Sequence, residues 1–242
     1  MISSRNSRIA FRNARLIDPA SGLDAKGGLL VENGKIADIG PRLFNDAEPN
    51  DPEVIDCRGL VLAPGLIDCR VFTGEPGAEH RESLESASAA AAAGGVTSMV
   101  VMPNTDPVID EPSLVDFLLR RAAATAKVRV LPCAALTRGL AGETMTEIGL
   151  LQEAGAVAFT DGDRSIANAR VLRRALSYAA TFGALTIGHA EDPELVLGAS
   201  ATEGEFATRL GLPAAPAIAE AMIVERDLRL IELTGARYHF GQ

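Results

Sequence analysis

Four polar residues have the chemistry of a metal or substrate site, and each stands at or just beyond the C-terminal end of an apolar segment. They are Asp68, Asn104, Asp161 and His189. Carboxylate and imidazole groups bind metal ions, and an amide can hold a substrate carboxylate. The C-terminal ends of strands are also where (β/α) barrel enzymes assemble their active sites. Helix N-caps place Asp and Asn at the same kind of position, so each residue alone also has a structural explanation.

The segment LIDCRVFTGEPG, residues 66–77, is laid out like the entrance to such a site, with Arg70 and Phe72 on alternate positions of a strand. Alternate positions point to the same face of a sheet. Neither side chain can bind a metal ion, because a guanidinium has no lone pair to donate and a phenyl ring is apolar. Cys69 points away from them, and we expect it to pack in the core.

The elements that must position these residues repeat from about residue 61 as an apolar strand, a loop and a helix. The predicted strands are VLAPGLIDCRVF, VTSMVVM, VRVLPCAAL, VAFTD, ALTIGHA and RYHF, and the predicted helices lie near 81–94, 113–126, 167–182 and 214–234. Continuous apolar strands are typical of a parallel sheet that is covered on both faces. Six such units indicate an α/β fold, either a (β/α)8 barrel or a doubly wound sheet. The polar residues at the strand ends favour the barrel.

The first 60 residues follow a different pattern, with short alternating segments separated by Gly, Asn-Gly and Pro. This pattern predicts a small antiparallel β unit over residues 1–60, followed by a barrel over residues 61–242. Six strands do not close an eight-stranded barrel and would leave an unpaired edge. We therefore expect a C-terminal portion of the barrel to be missing from this chain.

Composition excludes several classes of function. The formal net charge of -9 argues against binding to nucleic acid or to an anionic membrane surface. The sequence has no apolar run long enough for a transmembrane helix and no signal-peptide pattern at its start. The three cysteines lack metal-type spacing and fit reduced, buried thiols, so we expect a cytoplasmic protein.

Several motifs together resemble the dihydroorotases, which belong to the wider amidohydrolase superfamily. They are LAPGLID, EPG, ESASAAAAAGGVTSMVVMPNTDP, GAVAFTDGD, GHAEDP and GLPAAPAIAEA. The resemblance runs from about residue 8 to residue 242. It implies a zinc-bearing amidohydrolase-type (β/α)8 barrel, here about six βα units, with a small N-terminal β-sandwich. It also implies the interconversion of carbamoyl aspartate and dihydroorotate in pyrimidine synthesis.

The sequence departs from the family at the first barrel strand. The family motif there is Asp-x-His-x-His-x-Arg-Glu-Pro-Gly, in which the histidines bind zinc and the arginine holds the substrate carboxylate. In this chain Arg70 and Phe72 take the two histidine positions, and Gly74 takes the arginine position. The bidentate clamp that an arginine makes on a carboxylate is therefore missing.

Other family positions are retained. By resemblance, Asn104 matches the asparagine that binds the substrate carboxylate, and Asp161 and His189 match metal ligands. Gln242 stands where the family has a further zinc histidine, and the family's catalytic aspartate lies beyond the end of this chain. His80 and His239 do not match metal ligands, and we expect structural or solvated roles for them.

The losses have a direct chemical consequence. Zinc activates water for amide hydrolysis by lowering its pKa to about 7, and a catalytic zinc needs at least three protein ligands. Asp161 and His189 supply two, and a fixed cation at Arg70 would repel the ion. We therefore expect no bound cofactor. We also expect Arg70 to pair with Asp161 or with Asp68, since such a pair would stabilise the emptied site.

Two main hypotheses follow from the resemblance. The first is a non-catalytic dihydroorotase homologue, which in some bacteria assembles with aspartate transcarbamoylase. The second is an active dihydroorotase, or a related cyclic-amide hydrolase, with a rebuilt zinc site that uses the retained Asp161, His189 and Asn104. A binding protein for a small acid is a third possibility. The resemblance also implies a homodimer.

Overall fold

The computed structural model describes residues 8–44 and 53–241, and the chain divides into two compact units between Gly65 and Leu66. The sequence pattern placed this division after residue 60. The small unit extends further because Val61–Leu62 still pairs with its first strand.

The small unit forms one sheet from five strands. They are β1 (Arg8–Asp18), β2 (Leu23–Glu32), β3 (Lys35–Gly40), β4 (Glu53–Asp56) and β5 (Val61–Leu62). The strand order is β3-β2-β1-β4, and β5 also pairs with β1. The prediction of an antiparallel unit is wrong in part, because β4 and β5 both pair with β1 in parallel.

The large unit alternates strands and helices. Its strands are β6 (Leu66–Val71), β7 (Val96–Val101), β8 (Arg129–Ala134), β9 (Ala158–Thr160), β10 (Leu185–Gly188), the short pair β11 (Ala201–Thr202) and β12 (Ala214–Ala215), and β13 (Arg237–Phe240). Its helices are α1 (Leu84–Ala93), α2 (Pro112–Thr125), α3 (Ile148–Glu153), α4 (Ala169–Thr181), α5 (Glu205–Leu210) and α6 (Ile218–Thr234). The four predicted helices are thus confirmed as α1, α2, α4 and α6.

Six of these strands form one parallel sheet in the order β13-β10-β9-β8-β7-β6. Each strand therefore lies beside its predecessor in this series, as successive βα units of a barrel do. The predicted α/β architecture with about six βα units is confirmed.

Local sequence signals set the ends of the helices that position the site. Ser83 caps α1 in a capping box with Ser86, and Gly94 ends this helix. The side chain of Asn168 caps α4 by accepting hydrogen bonds from the backbone N–H groups of Arg170 and Val171. The N-terminal ends of α1 and α4 therefore fix where the loops after β6 and β9 stop, at the edge where the polar residues gather.

The hydrophobic core lies between the central strands and the helices that cover them. Fully buried side chains from β7, α2, α3, β9 and α4 meet there, including Met99, Leu118, Leu151, Phe159 and Leu176. Burial of such aliphatic and aromatic side chains is the main source of stability in this unit. The central strands β7, β8 and β9 therefore contribute most of the sheet's buried side chains to this core.

Strand β6 differs, since it lies at one edge of the sheet and its residues are largely exposed. Cys133 on β8 is buried as expected, but the expectation that Cys69 packs in the core is wrong, because this edge strand leaves it exposed.

None of the helices within residues 8–44 and 53–241 is both long and apolar enough to cross a lipid bilayer.

Candidate functional site

The predicted site residues gather at the C-terminal edge of the parallel sheet, with one exception. Asp161 directly follows β9, His189 directly follows β10, and Asn104 comes three residues after β7. Asp68 was expected at a strand end, and this expectation is wrong. It is the third residue of β6, where its carboxylate accepts a hydrogen bond from the backbone N–H of Arg70 at 3.1 Å.

Asp161 is held by Thr137, a residue in the loop after β8. Its Oδ1 accepts a hydrogen bond from the Thr137 N–H at 2.8 Å, and its Oδ2 accepts another from the Thr137 hydroxyl. Both residues are buried, Asp161 with 4% and Thr137 with 0% of its surface exposed. Burial raises the pKa of the Asp161 carboxyl, and the hydrogen bonds from Thr137 oppose this rise. Both carboxylate oxygens are thus engaged within the protein.

His189 lines a small cavity together with Asp161, Thr186 and Tyr238. The cavity has about 10 Å³ of free space, roughly enough for one water molecule. The Nε2 atom of His189 lies 3.0 Å from a carboxylate oxygen of Glu191, and its Nδ1 atom is buried with no hydrogen-bond partner among the residues that the structure describes. Asp161 and His189 therefore come together as the family resemblance implies, in a space too small for a substrate.

Arg70 contacts the strand ends on the far side of the sheet. Its guanidinium donates to the carbonyl oxygen of Gly162, after β9, and to that of Gly241, after β13, both at 3.4 Å. Strand β6 and strand β13 are the two edges of the sheet, which would be about 24 Å apart if six strands lay flat. An arginine side chain cannot span that distance, so the sheet is strongly curled, as in part of a barrel.

The expected ion pair between Arg70 and Asp161 is not formed. Asp161 faces Thr137, and Arg70 donates to the carbonyl of the next residue, Gly162. The alternative, an ion pair between the Arg70 guanidinium and Asp68, is also not formed. Asp68 instead accepts a hydrogen bond from the backbone N–H of Arg70. Arg70 also lies over the Phe72 ring, with 5.8 Å between Cζ and the ring centroid.

A second cavity, of about 670 Å³, opens beside these residues. Its lining includes Phe72, Gly74, Arg81, Asn104, Asp106 and Asp163. Gly74 has a φ of +67°, and a Cβ placed there would lie 2.8 Å from the Ala78 carbonyl oxygen. The loop conformation therefore excludes an arginine at the position where the family motif has one.

The residues present do not fit a zinc ion. A guanidinium and a phenyl ring occupy the positions of two family ligands, and Thr137 takes both carboxylate oxygens of Asp161. Across residues 8–44 and 53–241, no three or more His, Cys, Asp or Glu side chains converge as metal ligands would. The prediction for Gln242 lies outside the described residues.

The sequence reasoning missed two features of this edge. Thr137 was overlooked, although a polar residue directly after the apolar run VRVLPCAAL follows the same rule that identified Asp161. A buried network beside the small cavity was missed too. In it the Tyr238 hydroxyl donates to Asp227 at 2.6 Å, and Arg226 donates to the other oxygen of the same carboxylate at 2.8 Å. Arg226 and Asp227 are neighbours on α6 and Tyr238 lies eleven residues further, on β13, so the turn between helix and strand brings them together.

Comparisons with known proteins agree with this architecture. The sequence profile of the family described as dihydro-orotase-like matches residues 59–242. The dihydroorotase of Syntrophus aciditrophicus is 43% identical over 234 residues, which cover 97% of this chain and 54% of that protein. A dihydroorotase-like protein of Pseudomonas aeruginosa is 44% identical over 234 residues, which cover 97% of this chain and 55% of that one. The chain thus spans about half the length of the curated relatives it matches.

Solved structures show the same fold. The L-hydantoinase (dihydropyrimidinase) of Arthrobacter aurescens superposes with a TM-score of 0.80 at 22% identity, covering 95% of this chain and 51% of that one. A D-hydantoinase superposes with a TM-score of 0.73 at 23% identity, covering 96% of this chain and 51% of the other. At this level of identity the likeness describes the amidohydrolase-type barrel architecture and not the chemistry.

Proposed function

This chain belongs to the dihydroorotase family of the amidohydrolase superfamily, and from this premise we propose that it is a non-catalytic member with a structural role in de novo pyrimidine synthesis. The observation that carries the proposal is the position of Arg70. Its guanidinium stands where the family motif has a zinc histidine, and it bonds to the strand ends around the site. A permanent cation there disfavours a metal cation and cannot coordinate one.

Two further observations support the loss of catalysis. The retained Asp161 has a structural role, because it satisfies the backbone N–H and the hydroxyl of the buried Thr137. Its retention is therefore explained without a metal. In addition, the conformation at Gly74 leaves no space for the arginine that would hold a substrate carboxylate.

We propose aspartate transcarbamoylase as the partner, since the family resemblance links non-catalytic homologues to this enzyme. A protein partner would cover apolar surface. The segment around α5 offers such surface, because Leu197, Phe206 and Leu210 are 81%, 78% and 70% exposed. A second copy of the chain is the other candidate, since the resemblance also implies a homodimer.

The competing proposal is an active zinc-dependent dihydroorotase or related cyclic-amide hydrolase with a rebuilt site. One observation favours it: Asp161 and His189 line the same small cavity, while Asn104 lines the larger one. This proposal requires zinc ligands at positions other than those of the family motif.

Metal content and turnover of the same preparation decide between the two proposals. The full chain is purified without chelator, analysed for zinc, and assayed with carbamoyl aspartate and with dihydroorotate in the presence of added zinc. We expect less than about 0.1 zinc per chain and no turnover. One zinc per chain with turnover would establish the competing proposal.

The double variant R70H/F72H is the matched control for metal binding. It returns two imidazoles, one in β6 and one directly after it, at the spacing at which the family motif has its zinc histidines. We expect this variant to bind more zinc than the unaltered chain, which shows that the assay detects a restored site.

The partner proposal is tested separately by size-exclusion chromatography with light scattering. The chain is mixed with the aspartate transcarbamoylase of the same organism, and a stable complex is expected. The variant Phe206→Ser should weaken this complex, whereas Phe117→Ser, which removes a phenylalanine that is 43% exposed on α2, serves as a control. A mass equal to twice that of the chain, with no complex, would favour the homodimer instead.

A further inference from the structure

The small unit has a cavity of its own, with a volume of about 520 Å³. This volume lies in the range of cavities that bind small molecules. All the described residues that line it fall within residues 12–59, so they belong to the small unit alone. They include three cations, Arg12, Lys26 and Arg58, and no carboxylate. The described lining is therefore positively charged, in a protein whose formal net charge is -9.

A β-bulge in β1 supplies two of the lining residues. Between the paired positions on either side, β1 has two residues, Arg12 and Asn13, where β2 has only Gly28. Bulges of this kind redirect side chains and are frequent beside functional sites. The bulge thus brings a cation and an amide to the cavity from a strand that is otherwise regularly paired.

The turn after β3 forms another wall, and two glycines of β2 make room for it. A Cβ on Gly27 would overlap the carbonyl oxygen of Gly40, and one on Gly28 would lie 2.7 Å from the Phe44 ring. Side chains at these two positions would therefore displace the turn. The turn brings Leu43 and Phe44 to the cavity, so its lining has an apolar part as well as a cationic one.

Backbone strain is concentrated at this cavity. Asn13, Phe44 and Arg58 have φ values of +56°, +68° and +51°, and all three line it. They are three of the five non-glycine residues with positive φ in the part of the chain that the structure describes. Side chains other than glycine rarely adopt this conformation, and such strain clusters at ligand-binding sites.

Asp56 fixes the cationic part of the lining. Its Oδ1 accepts hydrogen bonds from the Asn13 side-chain amide and from the backbone N–H of Arg58, both at 3.0 Å. Its Oδ2 lies 3.8 Å from the guanidinium of Arg12, which compensates the charge of this carboxylate. Lys26 and Arg58 are exposed, and their side chains form no ion pair or hydrogen bond within residues 8–44 and 53–241. Two accessible positive charges of the lining are therefore available to a ligand.

We propose that this cavity binds a small phosphorylated molecule that carries an aromatic or apolar group, as a nucleoside phosphate does. Its phosphate would pair with Lys26 and Arg58, since ammonium and guanidinium groups form strong charge-assisted hydrogen bonds with phosphate oxygens. Its ring would pack against Leu43 and Phe44. The inference does not depend on the proposed function, because no residue of the parallel sheet takes part in the site.

Isothermal titration calorimetry of the full chain tests the proposal, with ADP and UDP as probes in magnesium-free buffer. We expect at least one of the two to bind. The matching nucleoside and inorganic phosphate should each bind at least about tenfold more weakly, because each lacks one half of the recognised chemistry. Absence of binding by both diphosphates up to about 1 mM, or a nucleoside that binds as tightly as its diphosphate, would overturn the proposal.

Variants locate the ligand. Lys26→Gln changes an exposed strand residue, so the fold is retained, and it should weaken binding of the diphosphate by at least about fivefold, as should Arg58→Gln. Lys35→Gln, the same change at an exposed lysine on β3 that is not among the lining residues, should leave the affinity unaltered. Arg70→Gln should leave it unaltered too. A loss of affinity in Arg70→Gln but not in Lys26→Gln would place the ligand at the strand ends of the large unit and contradict the proposal.

Discussion

The candidate site has two sides that are built differently: the ends of the central strands β8 and β9, and the edge strand β6. On the central side, Asp161 and Thr137 are buried and satisfy each other. On the edge side, Leu66 and Ile67 are each 61% exposed, and Arg70 makes only long hydrogen bonds. Asp161, which matches a family position by resemblance, lies on the central side, and Arg70, which departs from the family motif, lies on the edge side.

This difference shows why a retained residue is weak evidence for activity. Asp161 stabilises a buried loop, so its replacement would cost stability whether or not the protein binds a metal. Arg70 is on a strand with one neighbour in the sheet and Phe72 directly follows that strand, so a change of either side chain has smaller effects on packing. Structural constraint alone can therefore preserve one half of an active site while the other half changes.

Replacing Asp161 should give the largest effect. Asp161→Ala leaves the N–H and the hydroxyl of Thr137 buried without acceptors, and we expect the free energy of unfolding to fall by about 3 kcal/mol. Urea denaturation followed by circular dichroism measures this change. The control is Asp163→Ala, at the exposed residue two positions later, which should stay within about 0.5 kcal/mol of the parent. Equal losses in the two variants would remove the contrast between the two sides.

Much of this architecture follows from the sequence. Continuous apolar strands separated by helices predict a parallel sheet, and the helices predicted near 113–126 and 167–182 match α2 and α4 within two residues. These predictions succeed because burial on both faces of a sheet and helix capping leave local signals. The parallel pairing of β4 with β1 left no such signal. Whether two strands pair in parallel depends on the path of the connection between them, which local sequence does not show.

The site was less accessible to sequence reasoning. The grouping of Asp161 and His189 follows from their strand-end positions, but the partner of Asp161 does not, because a threonine and an arginine are equally reasonable hydrogen-bond donors to a carboxylate. Backbone geometry decides, since the Thr137 N–H already points to Asp161. The exposure of Cys69 also depends on β6 being an edge strand, which alternation within that strand cannot reveal.

The next effect concerns the buried network between α6 and β13, next to the small cavity that Asp161 lines. Tyr238→Phe removes the hydroxyl that donates to Asp227 at 2.6 Å and leaves one oxygen of a buried carboxylate without its donor. We expect a loss of about 1.5 kcal/mol in the free energy of unfolding. Tyr178→Phe, at an aromatic residue that packs edge-on against Phe182, is the matched control and should change stability by less than about 0.5 kcal/mol. A loss in the control as large as that in Tyr238→Phe would mean that the hydrogen bond is not the cause.

A smaller loss is expected on the edge side. Arg70→Met keeps much of the apolar length of the side chain and removes two hydrogen bonds of 3.4 Å, so stability should fall by about 1 kcal/mol or less. Arg173→Met provides the baseline for the same change on an exposed helix surface. If Arg70→Met instead costs as much as Asp161→Ala, the edge strand is as tightly integrated as the central strands and the comparison fails.

The smallest effect is a pH dependence that tests how Asp161 is stabilised. Burial raises the pKa of the Asp161 carboxyl, so the folded state binds this proton more tightly than the unfolded state does. The stability that the proton confers is complete below the unfolded pKa of about 3.9 and is lost as the pH rises through the folded pKa. The stability advantage of the parent over Asp161→Asn should therefore shrink as the pH rises above about 4, by less in total than the loss expected for Arg70→Met.

The opposite slope is expected for Glu79, which lies on the loop after β6. Its carboxylate accepts a hydrogen bond from the backbone N–H of Gly77 at 3.0 Å, and this bond lowers the pKa of Glu79. A lowered pKa gives stability that is present above the unfolded pKa and is lost in acid. The advantage of the parent over Glu79→Gln should therefore grow as the pH rises. Slopes of the same sign in the two variants would mean that hydrogen bonding from Thr137, and not burial, dominates at Asp161, which would then be ionised throughout the neutral range like an exposed acid.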